Sequence, residues 1–185
     1  MEKRKNTGDT EKKKEGKSAE QVRQIRRVTA QDINADWAKG NALYTKWASI
    51  HRIGYPELMV LYVLDWRGAQ TQKDISHSVG MTKQTVNTVI SKLKQKGYVR
   101  LETAQTDRRE KMACLTATGR KYADGILEPL REIEDQIYEK IEQERLLQML
   151  ETSGEINRLM EQEINREEQE MKREKAEKKR EEQKK

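Results

Sequence analysis

The fold turns on residues 71–115, TQKDISHSVGMTKQTVNTVISKLKQKGYVRLETAQTDRREKMACL. Ile75 and Val79 stand four apart and give a short helix over 71–79 one apolar side. Gly80 follows and suits a tight turn. Thr82 is a good helix N-cap, because its hydroxyl can accept from an unpaired backbone N–H. In the helix it opens, 82–96, the residues Val86, Val89, Ile90 and Leu93 recur at i, i+3, i+4 and i+7, a single buried stripe. The opposite face carries Lys83, Gln84, Thr85, Asn87, Thr88, Ser91 and Lys92 and no acidic residue. Gly97 ends the helix. Residues 98–102 then alternate as a strand does, 103–110 are polar and turn-like, and 111–115 return as the partner strand. Helix, turn, helix and hairpin in that order make a winged helix-turn-helix.

Working outward, Ile33, Trp37, Leu43, Tyr44, Trp47 and Ile50 predict an amphipathic helix over 32–50, with Gly40 a soft spot. Gly54–Tyr55–Pro56 breaks the chain, and Pro56 suits the start of an apolar helix that stops at Arg67–Gly68. On the other side Thr116 caps a long helix. Its apolar positions Tyr122, Ile126, Leu130, Ile133, Ile137 and Ile141 step by four and three, close to a heptad seam, with Pro129 expected to kink it. A further helical stretch runs from Leu146 to Ile164, interrupted at Gly154. The expected organisation is mainly α with a small β-hairpin wing. A disordered basic arm covers 1–30 and a winged-helix domain 31–165. Within that domain 56–118 form the DNA-binding lobe, and 31–53 and 119–165 are dimerisation helices. A charged tail, helical at most by propensity, covers 166–185.

Charge is sorted along the chain. Charged residues make up 38% of its 185 residues, and mean hydropathy is −1.10, so part of the length must be solvated face or tail. The net charge is +6, yet residues 71–121 hold 11 basic and 4 acidic residues, and residues 122–165 hold 4 basic and 12 acidic. A basic middle points to a polyanionic partner. No apolar run approaches the roughly 18 to 20 residues of a membrane span, which argues against a membrane role. The N-terminus is basic with no apolar stretch behind it, unlike a secretory signal. One cysteine excludes an intrachain disulfide or a multi-cysteine zinc site and fits the cytoplasm. No nucleophile–base pair, phosphate-cradling glycine loop or metal-ligand spacing is present, so no enzyme, metal or cofactor is expected.

Double-stranded DNA is the polyanion this pattern suits. A helix fits the major groove, where Thr82, Lys83, Gln84, Thr85, Asn87 and Thr88 can face base edges. Lys92 and Lys94 fall where phosphates run past. Arg108 and Arg109 at the hairpin tip can reach a minor groove, with Lys111 beside them.

The stretch from Pro56 to Gly119 resembles the multiple-antibiotic-resistance-regulator (MarR) family of bacterial winged-helix transcription factors. The matching segments are GMTKQTVNTVISKLKQKGYV (80–99) and TDRREKMACLTATG (106–119), the latter holding Asp-x-Arg and Leu-Thr-x-x-Gly. The resemblance implies a homodimer on a palindromic operator, commonly as a repressor, with the protein cytoplasmic and at the nucleoid. It also implies that Arg109 is the wing-tip minor-groove residue and that Asp107 braces the wing, Arg108 being an extra cation. The apolar faces of 33–50 and 122–141 agree with a dimer, since a small winged helix offers them no partner. A two-fold dimer sets its two reading helices about 34 Å apart, one turn of DNA.

Trp37, Tyr44, Trp47, Tyr55, Tyr62 and Trp66 have two readings. They serve as core in a chain without phenylalanine, or some line a pocket for a small aromatic or anionic effector, with His51 as an anion partner. In similar proteins the cleft between dimerisation helices and winged domain holds such effectors. Cys114 reads as a small buried hydrophobe rather than a redox centre. The alternative to a DNA regulator is a winged-helix protein-interaction or coiled-coil structural module without specific DNA readout.

Overall fold

A computed structural model describes residues 19–103 and 110–182 of the chain. The described residues fall into two compact units that divide after Ala123. In the first unit, α1 (Ala19–Ile50), α2 (Tyr55–Arg67), α3 (Gln72–Val79) and α4 (Lys83–Gln95) are joined to a small antiparallel sheet. Its strands β1 (Gln70–Thr71), β2 (Val99–Thr103) and β3 (Lys111–Leu115) lie in the order β1-β3-β2. The second unit holds most of α5 (Ala117–Tyr138) and all of α6 (Gln143–Glu182).

The helix-turn-helix follows from its caps. Thr71 accepts from the backbone N–H of Asp74 (3.1 Å) and donates to its carboxylate (2.7 Å), satisfying donors at the start of α3. Gly80 closes α3 with φ 62°, ψ 27°, a left-handed conformation that glycine adopts at no steric cost. The Ser76 hydroxyl donates to the Met81 carbonyl (2.6 Å) and fixes the turn from inside. Thr82 then caps α4 by accepting from Thr85 N–H at 3.1 Å. Val86, Val89, Ile90 and Leu93 are all buried, as is Ile75. They join Leu58, Leu61 and Leu64 of α2, which packs on α3 and α4. Burying one such side chain contributes about 1.5–3 kcal/mol, so this apolar stripe is what holds α4 with its other face outward.

The wing is tied in twice. The expected hairpin is present, with the first strand one residue later than expected: Val99 pairs with Leu115, and Thr103, expected in the turn, pairs with Lys111. Gln70 and Thr71 pair with Ala113 and Met112. That third strand was not anticipated, because two residues carry no periodicity. Thr116 then gathers the C-terminal end of α4 and the first turn of α5. Its N–H donates to the Tyr98 carbonyl (3.0 Å) and its hydroxyl donates to the Gly97 carbonyl (2.7 Å). The same hydroxyl accepts from the Gly119 N–H at 2.9 Å. A side chain on Gly119 would place its Cβ 1.8 Å from the Tyr98 carbonyl oxygen. The Leu-Thr-x-x-Gly pattern is therefore a backbone clamp.

Several sequence expectations change. The arm expected to be disordered through residue 30 is helical from Ala19, because Ala, Gln, Glu and Arg are strong helix formers; its residues 1–18 lie outside the described residues. α1 runs unbroken through Gly40 and turns at Arg52 rather than at Gly54. Arg52 takes φ 59°, with Ile53 N–H donating to Ala48 and Arg52 N–H to Ser49, a Schellman closure. α5 ends at Tyr138, so Ile141 lies past the seam, where i→i+3 bonds at Lys140 and Ile141 tighten the chain. α6 crosses Gly154 and continues to Glu182, so the charged tail is an extension of that helix. Glu163–Arg166 and Glu168–Lys172 pairs lie along its flank.

Gly119→Ala should lower folding stability by about 3 kcal/mol, a drop in the thermal midpoint of roughly 10 °C. Circular-dichroism melting checks this, and an unchanged midpoint would rule out the close approach.

Candidate nucleic-acid interface

The polar face of α4 divides into residues that hold the helix and residues left free. Thr82 and Thr85 share a hydroxyl–hydroxyl hydrogen bond of 2.9 Å, so both are engaged in the cap. Thr88 donates its hydroxyl back to the Gln84 carbonyl at 2.9 Å. Lys83, Gln84, Asn87, Ser91 and Lys92 are exposed, and Lys94 beside them is too. Among the described residues, none of these six side chains makes a hydrogen bond or an ion pair. An amide such as Gln84 or Asn87 can donate and accept in a plane, the geometry that matches a base edge. The lysines supply unpaired positive charge along the same side.

On the wing, Lys111 is exposed and donates to the Thr103 hydroxyl at 2.8 Å, across its own strand pair. Asp107, Arg108 and Arg109 lie outside the described residues. At the base of the wing Arg100 pairs with Glu102 at 2.5 Å. That hydrogen bond, with a second from Cys114 and the guanidinium charge, holds the Glu102 carboxyl below its usual range. Cys114 is buried, and its Sγ lies 3.4 Å from Glu102 Oε2. Burial, then the bond to Glu102, pushes its thiol pKa up, the opposite of a reactive cysteine.

The aromatic residues are spread over α1 and α2. Trp47 and His51 are half-buried with ring centres 4.7 Å apart, and Tyr55 donates to Asn41 Oδ1 at 3.3 Å. Tyr44 and Tyr62 are half-buried and Trp37 partly exposed. Trp66 is 71% exposed with the Arg67 guanidinium 4.8 Å over its ring, so it lies on the surface rather than in a cleft.

A brace behind α4 was not read from the sequence. Tyr122 stacks on Tyr98 with centroids 4.2 Å apart and donates to Glu57 Oε1 at 3.0 Å. Glu57 also lies 3.7 Å from Lys96, the C-cap of α4. Burial and the Glu57 charge raise the Tyr122 pKa far above that of a free phenol. Two residues earlier Arg120 pairs with Asp65 at 2.5 Å. The partners are 55 and 65 residues apart, beyond the reach of any local spacing rule.

Residues 53–110 match the MarR family model. This segment is similar to the MarR family. The described part of the chain has the corresponding mainly helical, winged-helix fold. It is similar to a MarR family regulator from Neisseria meningitidis at 26% identity and a TM-score of 0.67, covering 74% of this chain and 96% of that one. It is also similar to a MarR protein from Staphylococcus aureus solved with salicylate and kanamycin, at 16% identity and TM-score 0.57, covering 78% and 97%. A third likeness is to a Bordetella bronchiseptica protein whose DNA binding is regulated by 6-hydroxynicotinic acid, at 16% identity and TM-score 0.54, covering 69% and 91%. Comparison with curated proteins returns no match. Among the described residues no helix is long and apolar enough to cross a membrane, and no group of three or more His, Cys, Asp or Glu is placed to hold a metal.

The raised thiol makes a simple check possible. Cys114 should react slowly with a thiol reagent at neutral pH in the folded protein and rapidly after denaturation. Fast labelling of native protein would contradict its placement.

Proposed function

We propose that the protein is a sequence-specific regulator of transcription that binds double-stranded DNA, with α4 in the major groove and the wing at the adjoining minor groove. The observation that carries this is the outward face of α4, which has no carboxylate and whose Lys83, Gln84, Asn87, Ser91 and Lys92 side chains have no hydrogen-bond or ion-pair partner among the described residues. A surface for generic protein contact does not need such a face. Specific readout needs amides and hydroxyls free to meet base edges, flanked by cations for phosphate.

The acting form is a homodimer on a palindromic operator in the cytoplasm, in the commonest case a repressor. Exposed Ile133 and Ile137 on α5 and Leu147, Leu150, Leu159 and Ile164 on α6 support the dimer, since apolar exposure on that scale marks an interface. A small aromatic or anionic effector completes the reading. Its support is the half-buried Trp47–His51 pair, which offers a ring face and a titratable nitrogen side by side.

Selection from a random duplex pool tests the DNA reading, and recovery of no consensus would sink it. With the selected site, Lys92→Ala should weaken binding to all sequences alike and flatten the slope of log K against log salt by about 0.9. Gln84→Ala should instead relax the preference at one or two base positions, at about 1–3 kcal/mol each. Aromatic carboxylates should quench tryptophan emission and loosen the DNA complex. If neither signal moves, the effector has no support.

A further inference from the structure

The free side chains of α4 can only read bases if the helix is presented at a fixed angle, and the side chains themselves do nothing to fix it. The apolar stripe sets which face points out. It leaves the tilt about the stripe to whatever holds the ends. At the N-terminal end the Gly80 turn and the Thr82 cap fix the backbone. At the C-terminal end the Thr116 clamp holds the backbone at Gly97 and Tyr98, and a side-chain fastening beside it meets at one carboxylate. Glu57, in the first turn of α2, accepts from the Tyr122 hydroxyl and pairs with Lys96. Its side chain is 14% exposed while that of Lys96 is 51% exposed, so the anchor is inside and the tethered cation is at the rim. Lys96 falls seven residues after Val89, on the buried side of α4 rather than on its outward face. It is therefore a fastening and not a phosphate contact.

We propose that Glu57 and Tyr122 are positioning residues for DNA readout. They touch no DNA, and together they hold the C-terminal end of α4 against α2 and α5 at the angle that base contacts require. The inference rests on the DNA-binding function proposed above. It separates from a merely structural role by one consequence. Nonspecific binding depends on charge and tolerates a misaimed helix, whereas specific binding does not.

The test compares the affinity of the full chain for its selected duplex with that for a scrambled duplex of equal length. It is run at a temperature where circular dichroism shows each variant folded. Tyr122→Phe keeps the stack on Tyr98 and deletes only the hydroxyl. Glu57→Gln keeps an acceptor for Tyr122, nearly keeps the shape, and removes the charge facing Lys96. Each should lower specific affinity about fivefold, the ordinary net worth of one hydrogen bond, while affinity for scrambled DNA does not fall. Should Tyr122→Phe not fold, Glu57→Gln carries the comparison alone. Variants that lose thermal stability but keep the wild-type ratio of specific to scrambled affinity would overturn the positioning role. A wild-type protein with no preference between the two duplexes would instead overturn the DNA reading, and this inference with it.

Discussion

The contact on which the winged-helix unit depends is the meeting of Thr116 and Gly119 with the backbone at Gly97 and Tyr98. One hydroxyl donates to the Gly97 carbonyl and accepts from the Gly119 N–H, while the Thr116 N–H donates to the Tyr98 carbonyl. Four elements begin or end within a few residues of that point: α4, β2, β3 and α5. The direction of the reading helix, the base of the wing and the departure of α5 therefore share one origin. Gly119 is there because the Tyr98 carbonyl occupies the space where any side chain would begin. Stacking of Tyr122 on Tyr98 continues the same contact one turn further along α5.

This arrangement explains how α4 can leave its polar side chains idle. A helix on a protein surface commonly spends its exposed charges on its neighbours, as α6 does with Glu163–Arg166 and Glu168–Lys172. Among the described residues, α4 spends none of Lys83, Lys92 or Lys94 in that way. Its position comes from buried apolar residues and from backbone bonds at both ends. β1 contributes by joining the α2–α3 link to β3, so the helix-turn-helix and the wing belong to one hydrogen-bonded sheet. Because backbone does the fastening, the outward side chains remain available to a partner.

What could be read from the sequence was whatever is local or periodic. The stripe Val86–Val89–Ile90–Leu93, the Gly80 turn, the Thr82 cap and the paired wing strands all follow rules that span a few residues, and each is present as expected. β1 escaped because two residues have no period. The start of α1 at Ala19 and the run of α6 to Glu182 escaped because both stretches are dominated by charged and polar residues, where helix propensity alone resembles a solvated tail. In the candidate site, Thr82 and Thr85 stand on the expected face, yet their hydroxyls are used on each other. No spacing rule distinguishes a threonine that faces a groove from one that closes a cap. The brace through Glu57, Lys96, Tyr98 and Tyr122 joins residues from four parts of the chain, and only the tertiary fold brings them together.

The same brace gives the charge imbalance a physical meaning. Carboxylates are not absent from the reading unit, and four of them are engaged within it. Glu57 holds Tyr122 and Lys96, Asp65 holds Arg120, Asp74 closes the cap of α3, and Glu102 holds Arg100. Glu57 and Asp65 fasten one element to another, while Asp74 serves the cap of its own helix and Glu102 pairs with Arg100 of its own strand. Cations at the rim of the buried stripe, such as Lys96, are spent with them. Among the described residues the lysines on the outward side of α4 have no ion-pair partner, so the field that a nucleic-acid backbone meets is stronger than a net charge of +6 spread evenly over 185 residues would give. Fastening and binding thus draw on opposite signs of charge, and holding the fold together is what leaves the reading face positive.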